Sequence, residues 1–542
     1  MPQDYEHLDR DALIRLLQRR DAERQLGLVW ERDEIEAERA LNDDYVALAL
    51  DAGLSHGDAP WRNLIIEGDN FDALRALRMS HRGAIRCIYI DPPYNTGNRD
   101  FVYNDRFVDK THRFRHSLWL EFMHRRLLLA KELLADDGVI FVSIDDNELY
   151  RLGMLMDRVF GEDNFIANVI WQKMDSPKNT AQHFSDDHEY IAVYARHKAN
   201  WRPNRLARSD EMNARYKNPD NDPRGPWLLS DLAARNYYSL GTYAIYTPSG
   251  RTIEGPPPGN YWRVSKDKFD ELDRDNRIWW GRSGSNRPGI KRFLSEVRQG
   301  VVPQTLWLWQ EVGSTRHSKQ EMNSIFGARD SSLFFGTPKP VQLMERILRI
   351  ASKPGDTVLD FFAGSGTLAQ AVAKLNAEDG GDRRFILISS TEATEDQPDK
   401  NLCRDVCAER VRRVLGGYTN AKGEAVPGLG GGFAYLRTRR IAKHRLALKI
   451  DHAEVWNALQ LLHGHALSPW PRGGFASDGA LAYLADLREV HVARLRAWLA
   501  APLPAAAGAR TLYSWAPERM AALAPGVRCL PIPQHLRERF GR

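Results

Sequence analysis

At 542 residues, with 27% charged and 43% hydrophobic residues, the chain has the composition of a globular protein of about three or four domains, and not of a disordered or fibrous one. Lys and Arg total 76 against 71 acidic residues, a formal net charge of +5, so contact with a polyanion requires basic residues gathered locally. Four cysteines lack the pattern of a disulfide framework or zinc site, no apolar run approaches the roughly 18 residues of a membrane span, and the N-terminus has no signal-peptide pattern; a soluble, cytoplasmic, metal-free protein is expected.

Residues 1–60 read as an N-terminal helical arm, with Leu8, Leu13, Leu16 and Leu17 at helical spacing. A strand over 63–66 and a helix over 71–79 follow, joined by Glu67-Gly68-Asp69-Asn70, where Asp69 is placed to cap the helix. Next, Ile88-Tyr89-Ile90 runs into Asp91-Pro92-Pro93-Tyr94. The prolines fix φ and remove two backbone donors, so neither strand pairing nor a helix continues. Asp91 and Tyr94 are therefore held on a stiff loop beyond a strand end, where open α/β sheets bind ligands. The residue types suit the exocyclic amine of a nucleobase. The Asp91 carboxylate and the Pro92 carbonyl would accept its two N–H bonds, and Tyr94 would stack on a base turned out of a duplex. A Pro-Pro turn with a capping Asp and a core Tyr accounts for the same four residues.

Residues 98–111 are polar and aperiodic; 118–134 read as a helix, 138–145 as a buried strand ending on Asp145 and Asp146, and 149–160 as a helix. Over 166–330 regular periodicity fades and basic residues interleave with aromatics. Arg202, Arg205, Arg208 and Lys217 form one cluster; Arg282, Lys291 and Arg292 form another beside Trp279 and Trp280. The mixture suits phosphate and base contacts, although the solvated surface of an inserted domain would look similar residue by residue.

A helix over 341–350 precedes the strand Thr357-Val-Leu-Asp360 and the turn Phe361-Phe-Ala-Gly364-Ser-Gly366-Thr367, with a helix over 368–375 behind it. Gly364 and Gly366 let the backbone bend sharply toward a ligand. A third glycine at dinucleotide spacing is missing, and so is a triphosphate-binding Gly-Lys-Ser/Thr loop. A strand over 384–389 and a basic helix over 407–414 follow. Residues 421–542 open with a glycine linker, 428–432. They continue with a helix over 479–499 carrying Leu481, Leu484, Leu487, Leu495 and Trp498, and candidate strands over 511–515 and 527–531. With no motif there, a protein-contact or dimerisation module is the default.

Together, the Asp91 loop and the Gly364 turn resemble the β-class S-adenosylmethionine-dependent amino-methyltransferases of DNA, in which the catalytic motif precedes the cofactor motif. Residues 64–70, 119–126, Asp222-Pro-Arg-Gly-Pro-Trp227, Thr247-Pro-Ser-Gly250 and Thr337-Pro-Lys-Pro340 extend the resemblance to the modification subunits of Type III restriction-modification systems, over about residues 25–420. The resemblance implies an α/β, doubly wound Rossmann-like methyltransferase sheet. It would be built from 61–165 and 331–420, with a target-recognition domain over 166–330 and a C-terminal accessory domain over 421–542. It implies catalysis by Asp91, Pro92, Pro93 and Tyr94. S-adenosylmethionine would be held by Asp360, Phe361, Ala363, Gly364, Gly366 and Thr367, with Asp69 near the adenosine, Lys339 in a segment folding over the cofactor, and Glu392 on the ribose. Double-stranded DNA, a second copy of the chain and a helicase–nuclease restriction subunit are the implied partners, and the adenine N6 amine the implied target. The cytosine N4 amine is the alternative target, RNA a weaker substrate, and a non-catalytic DNA-binding subunit the alternative role.

Overall fold

A computed structural model describes residues 9–14, 30, 44–97, 102–103, 106–107, 115–327, 335–394, 397–471, 473–503 and 508–541. Of the expected N-terminal helix, 10–14 is helical with Leu13; Leu8, Leu16 and Leu17 lie outside the described residues. Two units emerge, Met1–Asn204 with Gln304–Arg542, and Arg205–Pro303.

In the first unit ten strands form one sheet: β1 (Tyr45–His56), β2 (Asn63–Glu67), β3 (Ile85–Ile90), β4 (Leu134–Ile144), β5 (Phe165–Gln172), β6 (His188–Ala195), β7 (Leu306–Trp307), β8 (Thr357–Asp360), β9 (Arg384–Ser389) and β10 (Phe433–Ile441). Their spatial order is β1-β10-β2-β9-β8-β3-β4-β6-β5-β7. The six strands from β10 to β4 run parallel. β6 turns antiparallel against β4 and β5, and β1 caps β10 antiparallel. The central strands are apolar on both faces, as parallel strands covered on both sides must be. Alternate residues of these strands build the larger core: Leu64, Ile66, Ile88, Ile90, Ile140, Val142, Leu359, Ile386 and Ile388 pack on one side with α1 (Asn70–His81), α2 (Arg115–Leu133) and α3 (Leu149–Phe160). On the other side lie α5 (Val341–Ala351) and α6 (Thr367–Asp379), after α4 (Thr315–Phe326) and before α7 (Glu409–Gly416).

From β8 the chain proceeds to β9 on one side, and from β3 to β4 on the other. The β8–β3 pair is thus the switch point of the sheet, where a crevice opens at the carboxyl ends.

Several boundaries differ from expectation. The inserted unit spans 205–303 and not 166–330, because β5, β6 and β7 continue the main sheet. β1, within the expected arm, and β10, within the expected accessory region, are also strands of that sheet. The glycine run 428–432 is a close crossing: a Cβ on Gly428 would collide with the Leu415 carbonyl, and one on Gly432 with that of His56. The helix expected over 479–499 is a strand, Leu481–Leu484, then a loop, then a helix, Glu489–Ala500. Leu481, Ala482, Tyr483 and Leu484 are all buried between two neighbouring strands of a four-stranded sheet, so their apolar run has two covered faces and no helical stripe. The strands Thr511–Ser514 and Arg528–Pro531 complete that sheet, with a helix, Gln534–Gly541, beyond it. Of 98–111, only Val102–Tyr103 paired with Arg106–Phe107 is described.

Candidate active site

β3 delivers Asp91 to the carboxyl edge of the sheet beside β8, whose last residue is Asp360. The loop that follows is fixed from below. Trp119 of α2 donates its indole N–H to the Pro93 carbonyl at 2.7 Å. Asn95 sits fully buried in the left-handed region (φ 56°) and donates to Glu148 Oε1 at 2.5 Å. His116 Nδ1 reaches the same oxygen at 2.5 Å.

Three side chains converge on the other face of the loop. Tyr94 Oη donates to Glu189 Oε2 at 2.9 Å. Lys339 Nζ lies 2.8 Å from Tyr94 Oη, 3.1 Å from Glu189 Oε2 and 3.0 Å from Asp91 Oδ1. Lys173 Nζ lies 3.4 Å from Glu189 Oε1. The Lys339 contact to Asp91 is an ion pair without hydrogen-bond alignment, which leaves Asp91 Oδ1 buried without a hydrogen-bond partner among the described residues. Burial pushes the Asp91 carboxyl above its ordinary range; the Lys339 cation opposes this and the Glu189 anion adds to it. Burial would raise Glu189 too, but Lys339 and Lys173 outweigh it and hold this carboxyl low. Burial alone would lower Lys339, yet Asp91 and Glu189 together raise it.

The glycine turn forms the adjoining wall. Gly364 (φ 49°) and Gly366 (φ 77°) adopt conformations that favour glycine. A Cβ on Gly364 would stand 2.8 Å from the Phe335 ring, so the turn accommodates a flat ring directly on its backbone. Asp360 accepts from the Phe362 N–H at 2.9 Å, and burial, with the nearby Asp91 charge, pushes its carboxyl well up. Phe361 is fully buried and its carbonyl accepts from Asn70 at 2.8 Å, while the Ala363 N–H bonds back to the Ile388 carbonyl at 3.0 Å. Thr367 Oγ1 donates to the Lys339 carbonyl at 3.3 Å, laying the segment before α5 along the turn. Beneath lies Arg410 of α7, fully buried, which donates to Ser365 Oγ at 3.0 Å, Thr367 Oγ1 at 2.7 Å and Gln370.

Asp91, Pro92, Pro93, Tyr94 and the Phe361–Thr367 turn are therefore brought to one edge. Three other expected residues are engaged differently. The Lys339 ammonium points to Asp91 and Glu189, not to the glycine turn. Asp69 is the N-cap of α1 and pairs with Arg126 at 3.1 Å. Glu392 is exposed at φ 51° and pairs with Lys400 at 3.0 Å. Sequence reasoning misses Glu189 and Glu148. Glu189 sits one residue into β6, in sequence that reads as the inserted domain.

In the inserted unit, described by itself, Arg205, Lys217, Arg282 and Arg292 are exposed and Arg208 half-buried over the Tyr216 ring; Arg202, exposed, belongs to the first unit. Lys291 is a correction. It is 1% exposed, flanked by Trp227 and Trp279, and paired with Asp220 and with Asp222 at 3.3 Å, so it cannot meet a phosphate.

The model of a DNA methylase family (N6 and N4) matches residues 85–397. The Type III StyLTI Mod subunit of Salmonella typhimurium strain LT2 is 35% identical, over 65% of this chain and 57% of its own length. The Type III EcoPI Mod subunit of Escherichia phage P1 is 34% identical, over 61% and 58%. The Type II methyltransferase M.KpnI of Klebsiella pneumoniae is 31% identical, over 60% and 79%. The chain thus spans under three fifths of the length of these two Type III relatives.

Proposed function

Because the chain belongs to the N6/N4 DNA methylase family, we propose that it transfers a methyl group from S-adenosylmethionine to the N6 amine of adenine in duplex DNA, as the modification component of a restriction-modification system. The observation that carries this reading is the pairing of β3 with β8, which opens the Asp91 loop and the glycine turn on the same edge of the sheet. The turn suits a close-packed ligand: Gly364 and Gly366 keep it free of side chains at positive φ, and the Phe335 ring that packs on Gly364 would have to share or yield that place to the cofactor. Gly364, Gly366, Ala363, Phe361 and Asp360 would hold the cofactor. When bound, its sulfonium supplies an already activated methyl, so the chain has mainly to place the acceptor.

Placement falls to the loop. The base leaves the duplex and stacks on Tyr94. The Asp91 carboxylate and the Pro92 carbonyl accept the two amine hydrogens and orient the nitrogen lone pair. A covalent thiolate is not needed, and Cys87, Cys403 and Cys407 are buried with their thiols pushed up by burial. Asp91→Ala is expected to lower methyl transfer by about 10²–10³ or more while cofactor binding stays within a few-fold, read by radiolabel transfer and by calorimetric titration. Gly364→Val should abolish cofactor binding in the same titration. Nucleoside mass analysis of modified DNA is expected to give N6-methyladenine; N4-methylcytosine would redirect the proposal to the other amine.

Arg202, Arg205, Arg208, Lys217, Arg282 and Arg292 are the candidate DNA contacts. Its likeness to Mod subunits of Type III restriction-modification enzymes makes a restriction subunit the proposed partner, and self-association completes the proposal. Among the described residues no helix is long and apolar enough to cross a membrane.

A further inference from the structure

Lys339 enters the site from the segment before α5, at a place where methyl transfer itself calls for no second cation. Its Nζ is 3.0 Å from Oδ1 of Asp91, the carboxylate assigned above to an amine hydrogen. We propose that Lys339 is an internal occupant of the amine position: in the DNA-free protein its ammonium stands in for the substrate's N–H groups on Asp91, and base entry displaces it onto Glu189. The inference rests on the reading of Asp91 as amine acceptor.

Three observations support the handover. The contact with Asp91 is electrostatic and poorly aligned, so Asp91 Oδ1 keeps an unmet hydrogen-bonding capacity that an incoming amine satisfies. Glu189 is a second anchor, 13% exposed and already 3.1 Å from the same ammonium. Tyr94 Oη, 2.8 Å from Nζ, bonds to that anchor, so the ring expected to stack on the base also marks where the ammonium withdraws.

The charges around Asp91 keep the displacement small in cost. Lys339 and Glu189 face it directly, with Lys173 behind Glu189 and shared there with Asp186 at 3.3 Å; Tyr89 from β3, Tyr94 from the loop, Asp360 from β8 and, next to Glu189 and Lys173, Asp145 after β4 are the other titratable groups around it. Asp91 and Glu189 thus share Lys339, Lys173 holds Glu189 from the other side, and Lys339 stays paired throughout its shift. Without it, Glu189 would keep Lys173 while Asp91 would face the Glu189 anion with no cation of its own, and would hold its proton to higher pH.

The test uses the full chain and unmethylated plasmid DNA. Glu189→Gln leaves Asp91 as the ammonium's main anchor; KM for DNA should rise about tenfold, with cofactor affinity unchanged within about twofold. Lys339→Met should move the acid limb of the pH–rate profile up by about one unit or more, and Lys339→Arg should restore it. The double variant Lys339→Met/Glu189→Gln, lacking both occupant and anchor, should bring KM back toward wild type. An unchanged KM in Glu189→Gln, or a double variant worse than either single, overturns the proposal. Should the variants fail to fold, wild-type protein treated with a carbodiimide gives the answer by mass spectrometry. The Lys339–Asp91 amide should form without DNA and fall when DNA and a non-reactive cofactor analogue are added, while the Lys339–Glu189 amide persists. An Asp91 link indifferent to DNA overturns the occupant alone; a wild type that transfers no methyl overturns the reading of the site on which it rests.

Discussion

Asp360 carries a buried carboxylate beside a second acid, and its consequence is a pH-dependent stability. Its folded-state pKa lies above the unfolded value, so the folded protein holds the proton more tightly and stability falls as pH rises from the unfolded value of about 4 through the folded one. Asp360→Asn is therefore expected to raise Tm at pH 8, with the gain shrinking toward pH 4, in fluorimetric melts across that range; a pH-independent gain would assign the effect to packing instead. Lys291 gives the opposite lesson. Removing it leaves the buried Asp222 with Arg224 at 2.9 Å and Asp220 with the Trp227 indole alone, so Lys291→Ala should destabilise the inserted unit by about 1–3 kcal/mol, whereas Arg292→Ala, exposed, should stay within about 0.5 kcal/mol, both read by denaturant titration. In sequence the two neighbours are one basic pair. What separates them is the alternation of a strand, Gly289–Phe293, whose faces are decided by partners roughly sixty to seventy positions earlier. Asp91, Tyr94 and Gly364 are legible because proline and glycine constrain the backbone locally. Glu189 is not, since its role depends on β6 lying across β4 from β3.

The glycine turn is an element held by another element. Arg410 spans Ser365, Thr367 and Gln370 from α7 and is balanced by Glu321 of α4 at 3.3 Å. Arg410→Met should leave the strand β8 intact but loosen the turn, lowering cofactor affinity about tenfold or more without a matching loss of DNA binding, by titration of each ligand. Elements bounded by local signals are read closely: β8 over 357–360, β9 over 384–389 and α3 over 149–160 stand as expected. The region 479–499 misleads because a short run buried on both faces imitates a helical stripe when leucines fall three apart.

At the scale of the molecule, the C-terminal sheet is not a detachable module. Tyr483, Tyr513, Leu536 and Phe540 share a core with Tyr45 and Leu77, and Arg78 donates to the Phe540 carbonyl at 2.9 Å. Truncation after residue 450 should therefore abolish cooperative unfolding of the remaining chain by circular dichroism, although composition alone suggests an appended contact domain. The α/β class and the order of the two motifs are readable, because each strand–turn unit is local. The ends of the insertion are not, because β5 to β7 belong to the sheet only through long-range pairing. The β3–β8 pair has a last consequence, for biosynthesis. The ribosome releases the Asp91 loop long before its neighbouring strand, and no nascent fragment ending before residue 367 possesses both walls of the pocket. Such distant pairing is slow to form, so the two walls meet only after residue 367 has left the ribosome, and until then the Asp91 loop waits without its neighbour.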